Sequence, residues 1–235
     1  MNINLENLYK SYKNLSIYEN FHMSIPKKKT TCILGPSGCG KTTLLNILSK
    51  VIPFDKGKII GLDDLSISYL FQEPRLLPWK SVQKNIEFVL KKVYKKEERE
   101  KIAKEYIKKV GLEGFENYYP KDLSTGMKHR VSMARAFAYP SDLLLMDEPF
   151  TGLDIKTKNE MMKIFLHLVH TDIKTIVFVT HSIEDAVLLG DVVYIFSDSP
   201  VKIKKTFFID IKKEERNLDH MRKNIDHIKY ILKKA

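Results

Sequence analysis

One short stretch combines glycines with a lysine and a threonine at a spacing that suits phosphate binding. It reads Gly35-Pro-Ser-Gly-Cys-Gly-Lys41-Thr42 and fits the pattern G-x-x-x-x-G-K-[ST]. Glycines let the backbone curve so that successive N–H groups point inward at phosphate oxygens. A helix starting near Lys41 would add its positive end, Lys41 would reach the β- and γ-phosphates, and the Thr42 hydroxyl would ligate Mg²⁺. The stretch therefore predicts a site for a nucleoside triphosphate.

A second candidate group is the pair of carboxylates that ends the apolar run Leu143-Leu-Leu-Met-Asp147-Glu148. Such a run predicts a buried strand, and α/β sheets bind ligands at the carboxyl ends of their strands. Asp147 would hold Mg²⁺ through its water shell, and Glu148 would polarise the attacking water as a general base. An acidic pair of this kind is often a helix cap or a solvated loop. Its occurrence after a phosphate loop, with Pro149 enforcing a turn, favours catalysis.

The two cysteines, Cys32 and Cys39, lie seven positions apart, and the chain has no other Cys to complete a metal framework. This usage is typical of a reducing, cytosolic protein. Cys39 lies inside the phosphate loop beside the predicted helix start, which would lower the pKa of its thiol. We interpret Cys39 as a bystander, although a bulky reagent attached to it would block nucleotide entry.

The elements that must position these groups are short apolar strands that alternate with helical patterns, which indicates an α/β chain. Strands are predicted at 4–8, 17–25, 30–34, 67–71, 142–146, 175–179 and 191–196, with 201–211 as a candidate edge strand. Between 82 and 138 apolar residues recur at helical spacing without a strand pattern, which predicts an inserted helical lobe. A helix is predicted from Lys41 to about Lys50. A last helix is predicted from about Glu214 to Lys234, with Leu218, Met221, Ile225, Ile228 and Leu232 on one face.

Composition and charge limit the classes of partner. The chain has 235 residues, 43% of them hydrophobic, so a sizeable core can be buried. No apolar run approaches the roughly 18 residues of a membrane span, and the start has no export-signal pattern. The formal net charge of +11 falls in 91–109, with a net +5, and in 202–235, with a net +6. Because the segments with the nucleotide motifs are balanced, nucleic acid is the weaker interpretation of the basic charge.

Further motifs resemble those of the ATP-binding-cassette (ABC) ATPases over about residues 1–205. Leu123-Ser-Thr-Gly-Met127 is similar to the signature loop of that family, and Gln72 to the glutamine that senses Mg²⁺ and the γ-phosphate. Leu153-Asp154 resembles the loop that pairs across the dimer, His181 the switch histidine, and Tyr12 the aromatic residue that stacks on adenine. A lone Tyr, Gln or His is usually structural, so the order and spacing of the set carry the resemblance.

The resemblance implies a role for each matching residue. The implied catalytic residues are Glu148, His181 and Lys41. The implied ATP contacts are Tyr12, Gly35, Pro36, Ser37, Gly38, Cys39, Gly40, Lys41, Thr42, Thr43 and Gln72. The implied contacts to ATP held by the partner subunit are Ser124, Thr125, Gly126, Met127 and Asp154, and the implied Mg²⁺ residues are Thr42, Gln72 and Asp147. The sequence departs from the family at Thr125, usually glycine, and at His129, commonly glutamine. Because Thr125 restricts φ, we expect weaker closure without the loss of a catalytic group.

The fold implied is α/β: a P-loop NTPase core with a mostly parallel sheet, an N-terminal antiparallel β subdomain and an inserted helical subdomain. We expect a single ABC ATPase domain over 1–235. Within it, 1–80 and 140–205 form the nucleotide-binding lobe, 81–139 the helical lobe and 206–235 a basic helical tail. The C-terminal tail carries no motif that assigns it a role.

Two segments are similar to the ATPase subunits of nitrate, sulfonate and taurine importers, namely Phe71-Gln-Glu-Pro-Arg-Leu-Leu-Pro-Trp79 and Thr180–Gly190. Leu76, Leu77 and Trp79 at a Pro-bounded bend suit a socket for a membrane subunit, or they are core between the lobes. The resemblance implies an importer motor at the cytoplasmic face of the membrane. It would be a homodimer, or a pair with a second ABC ATPase subunit, and would use ATP and Mg²⁺. Two integral membrane permease subunits and an extracytoplasmic solute-binding protein would complete the importer.

Two other functions stay open at this stage. One is a soluble ABC ATPase that acts on nucleic acid or ribosomes, which the lysine-rich helical lobe supports. The other is a weakly hydrolysing ATP-dependent clamp, against which the presence of Glu148 and His181 argues. The lysines of 91–109 would lie near anionic lipid headgroups or the permease, or would only be solvated.

Overall fold

The computed structural model describes residues 2–233, which form nine strands and seven α-helices. The strands are β1 (Ile3–Tyr12), β2 (Leu15–Ile25), β3 (Thr30–Leu34), β4 (Lys56–Ile60), β5 (Ile67–Leu70), β6 (Leu143–Asp147), β7 (Thr175–Thr180), β8 (Val192–Phe196) and β9 (Ile203–Phe208). The helices are α1 (Lys41–Leu48), α2 (Val82–Leu90), α3 (Lys96–Lys109), α4 (Thr125–Ala138), α5 (Ile155–Thr171), α6 (Ile183–Leu189) and α7 (Arg222–Lys233).

The larger sheet has six strands in the order β5-β6-β7-β3-β8-β9. The first five are parallel to their neighbours, and β9 pairs antiparallel with β8 at the edge. Strands β3, β7 and β8 are buried along their whole length, as continuous apolar runs of parallel sheets usually are. The predicted α/β fold with a mostly parallel sheet is confirmed, and so is the edge strand.

The smaller sheet has three antiparallel strands in the order β2-β1-β4. Strands β1 and β2 confirm the antiparallel pair near the N-terminus. Strand β4 has no counterpart among the strands expected from the sequence. It begins with the polar run Lys56-Gly-Lys58, which is exposed, and only Ile59 and Ile60 are partly buried. An edge strand of this kind lacks the apolar alternation on which a sequence-based assignment depends.

Two cores fill the space on the two faces of the larger sheet. Alternate residues of β6 point to opposite faces, so Leu144 and Met146 join the core beneath the helices, while Leu143 and Leu145 join the core beneath β1 and β2. The segment 82–138, all of which the structure describes, contains helices α2–α4 and no strand, as predicted.

The C-terminal tail corrects one prediction. The last helix begins at Arg222, not near Glu214, and residues 213–215 form one 3-10 turn. The side chain of Asn217 accepts a hydrogen bond from the backbone N–H of His220 at 2.9 Å, which holds a turn ahead of the helix. Met221, Ile225 and Ile228 are buried as expected, but Leu218 is half exposed. The predicted end at Lys234 lies outside the described residues.

None of the helices within residues 2–233 combines the length and the apolar character that crossing a membrane requires.

Candidate active site

Four parallel strands place the phosphate loop and three other predicted site residues at one edge of the larger sheet. Neighbouring strands β5, β6, β7 and β3 all end at this edge. Gln72 follows β5, Asp147 ends β6, His181 follows β7, and the phosphate loop that starts at Gly35 follows β3. The fold therefore brings together residues that are up to 146 positions apart in the chain.

The phosphate loop runs from the end of β3 into α1, so that Lys41, Thr42 and Thr43 form the first turn of the helix. Gly40 adopts φ 115°, and a Cβ there would lie 2.5 Å from Cγ2 of Ile17. The hydroxyl of Tyr18 is buried and donates to the Gly40 carbonyl at 2.8 Å. Strand β2 thus supports the loop from beneath, a contact that no local sequence pattern indicates.

Lys41 is 6% exposed, and its side chain lies against the loop. Its amine donates to the carbonyl oxygens of Gly35 at 2.8 Å and of Pro36 at 2.6 Å. Ser37 and Gly38 are exposed, whereas Cys39 and Gly40 are buried. The loop therefore has a solvent-facing tip and a lysine amine folded against its backbone, a combination that suits an anion.

Burial reverses the expectation for Cys39. Its side chain is 2% exposed, and desolvation raises the pKa of the thiol, outweighing the lowering by Lys41 and by backbone hydrogen bonds. The sulfur packs at the base of the loop, where a Cβ on Gly35 would be 3.0 Å from it. The lowering of the thiol pKa expected from the helix N-terminus is therefore not found, because burial disfavours the charged thiolate. The bystander role of Cys39 stays a prediction.

Thr42 and Asp147 form a candidate Mg²⁺ site. The Thr42 hydroxyl donates to Oδ1 of Asp147 at 3.2 Å, and the Tyr69 hydroxyl lies 3.4 Å from Oδ2. Burial raises the pKa of Asp147, against the lowering by these two hydroxyls. A hydroxyl and a carboxylate are oxygen ligands of the kind that Mg²⁺ takes beside the phosphates of its substrate. Residues 2–233 contain no cluster of three or more His, Cys, Asp or Glu side chains that could hold a metal ion by themselves.

Glu148 adopts φ 44°, which is unusual for a residue with a side chain. Its backbone N–H donates to the Val179 carbonyl at 3.1 Å, which ties it to the end of β7. Its Oε2 accepts from the Thr151 hydroxyl at 3.0 Å and lies 3.1 Å from Nδ1 of His181. The side chain of His181 is 55% exposed, that of Glu148 21%. Sequence reasoning found the carboxylate and the histidine but not Thr151.

The segment Ser124–Met127 forms the start of α4. The Ser124 side chain caps the helix by accepting from the Met127 N–H at 3.3 Å, as N-cap serines do. Thr125 is exposed in the first helical position and has a helical, negative φ, so a glycine is not needed there. Across residues 2–233, no hydrogen bond joins this segment to the phosphate loop of the same chain. Asp154 caps the neighbouring helix α5 through Thr157.

The remaining predicted contacts lie at the surface. Tyr12 ends β1 with 45% of its side chain exposed, and the Lys10 amine is 5.2 Å from its ring centre. Asp55 holds this strand end by accepting from the Lys10 amine at 3.2 Å and the Ser11 N–H at 2.7 Å. Gln72 is exposed in the bend after β5. The ring of Tyr12 and the amide of Gln72 are therefore accessible to a ligand.

The bend bounded by Pro74 and Pro78, which follows Gln72, is held by hydrogen bonds from two side chains. The fully buried Asn85 accepts from the Leu77 N–H at 2.8 Å and donates to the carbonyls of Leu77, Lys80 and Ser81. Arg135 donates to the carbonyls of Pro74 and Arg75 at 2.8 and 3.0 Å. This frame leaves Trp79 71% exposed, so Trp79 is a surface residue and not core between the lobes. Neither Asn85 nor Arg135 was identified from the sequence.

Known proteins are similar to this chain in sequence and in fold. The family model described as ABC transporter matches residues 18–151. Over 223 residues, 90% of this chain and 83% of the relative, the chain is 39% identical to an uncharacterized ABC transporter ATP-binding protein of Methanocaldococcus jannaschii. It is 36% identical to the taurine import ATP-binding protein TauB of Escherichia coli O157:H7 over 86% of this chain and 82% of that protein.

Solved structures are similar over most of the chain. A dimeric structure of a bacterial ABC transporter cassette has a TM-score of 0.76 and 31% identity, and covers 89% of this chain and 100% of that one. A dimeric post-hydrolysis state of an ATP-binding cassette bound to ADP and Pi has a TM-score of 0.74 and 30% identity, with the same coverage.

Proposed function

The chain belongs to the ABC transporter family, and on this premise we propose that it is the ATP-hydrolysing subunit of an importer. It would close head-to-tail on a second copy, or on a second ABC ATPase subunit, around two ATP molecules. Two permease subunits would carry the solute across the membrane, and an extracytoplasmic binding protein would deliver it. The 36% identity to a taurine import ATP-binding protein supports the direction of transport, and the dimeric cassettes support the pairing.

The single observation that carries the proposal is the position of the Glu148 carboxylate between Thr151 and His181. A carboxylate oxygen held at 3.1 Å from an imidazole nitrogen can take a proton from water while the ring keeps its orientation. The loop at Gly35 and the Lys41 amine would bind the phosphates. Thr42 and Asp147 would hold Mg²⁺, which when bound neutralises charge on the phosphates.

Replacement of the general base tests the proposed reaction. We expect Glu148→Gln to retain ATP affinity and to lower the rate of hydrolysis by at least about 100-fold, because the amide cannot accept the proton. ATP affinity is measured with a fluorescent ATP analogue and turnover by phosphate release. Glu184→Gln is the matched control, since Glu184 follows His181 by three positions but hydrogen-bonds to Ser182 on its own helix cap. Wild-type turnover in the Glu148 variant would refute the assignment.

The exposed Trp79 is the proposed contact to a permease. The hydrogen bonds from Asn85 and Arg135 fix the backbone of the bend so that the Trp79 side chain is exposed to water. Exposure of an apolar side chain is unfavourable, and a docked partner would bury it. A photo-crosslinking amino acid at position 79, used in membranes of the source organism, should attach to an integral membrane protein. The same probe at exposed Ile173, in the loop after α5, is the control. Attachment of the position-79 probe to ribosomal or nucleic-acid-binding proteins instead would contradict the importer.

A further inference from the structure

The first two turns of α5 contact a neighbouring helix on each of two faces. On one face, Thr157 packs so closely on α4 that a Cβ on Gly126 would lie 2.9 Å from its Cγ2. One turn further along the same face, Glu160 accepts from Arg130 of α4 at 2.6 Å. This face ties α5 to the helix that Ser124 caps.

The opposite face of α5 contacts α6. The Lys158 amine lies 2.6 Å from Oδ1 of Asp185, whose side chain is 4% exposed. Apart from this ion pair, Oδ1 of Asp185 has no hydrogen-bond partner within the described chain. Because successive helical residues are about 100° apart, Lys158 and Glu160 project about 200° from one another. Each therefore serves a different neighbouring helix.

Helix α6 leads directly back to the hydrolysis site. Ser182, which follows His181, caps α6 by accepting from the N–H of Asp185 at 3.2 Å. Asp185 therefore makes two contacts. Its side chain pairs with Lys158, and its backbone N–H donates to the cap residue next to His181. A shift of Lys158 would act on His181 through one turn of helix.

From these contacts we infer that α5 is a rigid link between the two surfaces that the chain offers to nucleotide, and that Lys158 and Glu160 are positioning residues for hydrolysis. The inference rests on the proposed function, in which Ser124–Met127 contact the ATP of the partner subunit and His181 acts on the chain's own ATP. Movement of α4 on closure passes to α5 through Glu160 and Thr157, and from α5 to α6 through Lys158. The link holds because separating Lys158 from Asp185 leaves a buried carboxylate unpaired.

The test compares three variants of α5. Lys158→Met should lower kcat for ATP hydrolysis about 2- to 30-fold with an unchanged KM, as expected for loss of coupling without loss of a nucleotide contact. Lys158→Arg keeps the cation and should restore most of the rate. Lys163→Met removes an exposed lysine of the same helix and should leave kcat unchanged. A wild-type kcat in Lys158→Met, or an equal loss in Lys163→Met, would overturn the inference.

Hydrogen exchange in the nucleotide-free chain tests the link without relying on turnover. Lys158→Met should accelerate exchange of the amides of α6 but not those of β8, and adding Asp185→Asn should recover part of the lost stability, since it removes the unpaired buried charge. Unchanged exchange in α6 would overturn the link even in an active enzyme. Absence of ATPase activity in the wild-type chain would instead refute the proposed function, and the exchange result would still decide whether the link exists.

Discussion

At the scale of single residues, two glycines of the phosphate loop share a positive φ but differ in their surroundings. Gly38 has φ 78°, and no atom lies within 4 Å of the position that a Cβ would take there. Gly40 has φ 115°, and Ile17 lies 2.5 Å from the corresponding position. We expect Gly38→Ala to lower stability by about 1–2 kcal/mol through backbone strain. Gly40→Ala should cost about 2–5 kcal/mol, because a steric clash adds to the strain. Urea unfolding measures both, and equal losses would contradict the packing described for Ile17.

The buried thiol of Cys39 makes a second prediction at this scale. Because burial raises the pKa of the thiol, the reactive thiolate is scarcer at pH 8 than in an unfolded chain. Labelling by a maleimide should therefore be slower in the folded chain than in urea, because the thiol is both buried and less ionised, and should quicken as the pH rises. Mass spectrometry of peptides separates Cys39 from Cys32, which is fully buried. Rapid labelling of Cys39 in the native chain at pH 7 would show that the loop opens.

The residues that support the site explain why sequence reasoning reached only part of it. The phosphate loop, Asp147 and Glu148 lie at the ends of buried strands, so their types and spacing were sufficient to predict them, whereas His181 was predicted from the family resemblance. Tyr18 and Thr151 contribute through single hydrogen bonds. Nothing in the pattern around either residue distinguishes it from other hydroxyl-bearing residues, because the partner is defined only by the fold.

At the scale of elements, the bend that carries Trp79 depends on one side chain of α2. Asn85→Ala would leave the Leu77 N–H without its acceptor and would remove one donor from the carbonyls of Leu77, Lys80 and Ser81, at a cost of about 1–3 kcal/mol. Trp79 is the only tryptophan of the chain, so its fluorescence anisotropy carries no signal from a tryptophan elsewhere and falls when the bend becomes more mobile. We expect the anisotropy to fall in Asn85→Ala.

The control for this prediction is Gln83→Ala on the same helix. The Gln83 side-chain amide donates to the Glu87 carboxylate at 2.7 Å, and Glu87 lies on α2, outside the bend. Its loss should leave Trp79 anisotropy unchanged. If both variants behaved alike, the mobility of Trp79 would be a property of α2 as a whole.

The C-terminal tail, residues 206–233 of the described chain, shows which kind of element cannot be predicted from a sequence pattern. Strands β3, β6, β7 and β8 were predictable because burial on both faces demands continuous apolar runs. The start of α7 was not, because the preceding residues are ordered by Arg216. Its buried guanidinium donates to the carbonyls of Gly190 at 2.6 Å and Ile211 at 2.8 Å. A charged residue that satisfies distant carbonyls looks in the sequence like any exposed arginine.

At the scale of the whole molecule, the phosphate loop and the segment proposed to contact a partner's ATP are not joined within one chain. Within residues 2–233, Ser124–Met127 make no hydrogen bond to the loop that begins at Gly35. The cap at Ser124 nevertheless presents free N–H groups at the start of α4, which suits an anion. In the proposed dimer a second chain would supply the phosphate for this segment, and the dimeric cassette of similar fold supports that proposal.

Because the chain carries a net charge of +11, the salt dependence of complex formation distinguishes the proposed dimerisation from binding to nucleic acid. Two such chains repel at long range, so added salt should screen the repulsion and favour the ATP-bound dimer. Binding to RNA would weaken with salt, because it releases counterions from phosphates. We expect Glu148→Gln with MgATP to sediment as a dimer, and more completely at about 0.3 M than at about 0.05 M salt. Ser124→Arg, which places a bulky cation at the α4 start, should remain monomeric. An RNA complex that forms at low salt, without an ATP-dependent dimer at either concentration, would favour the soluble alternative.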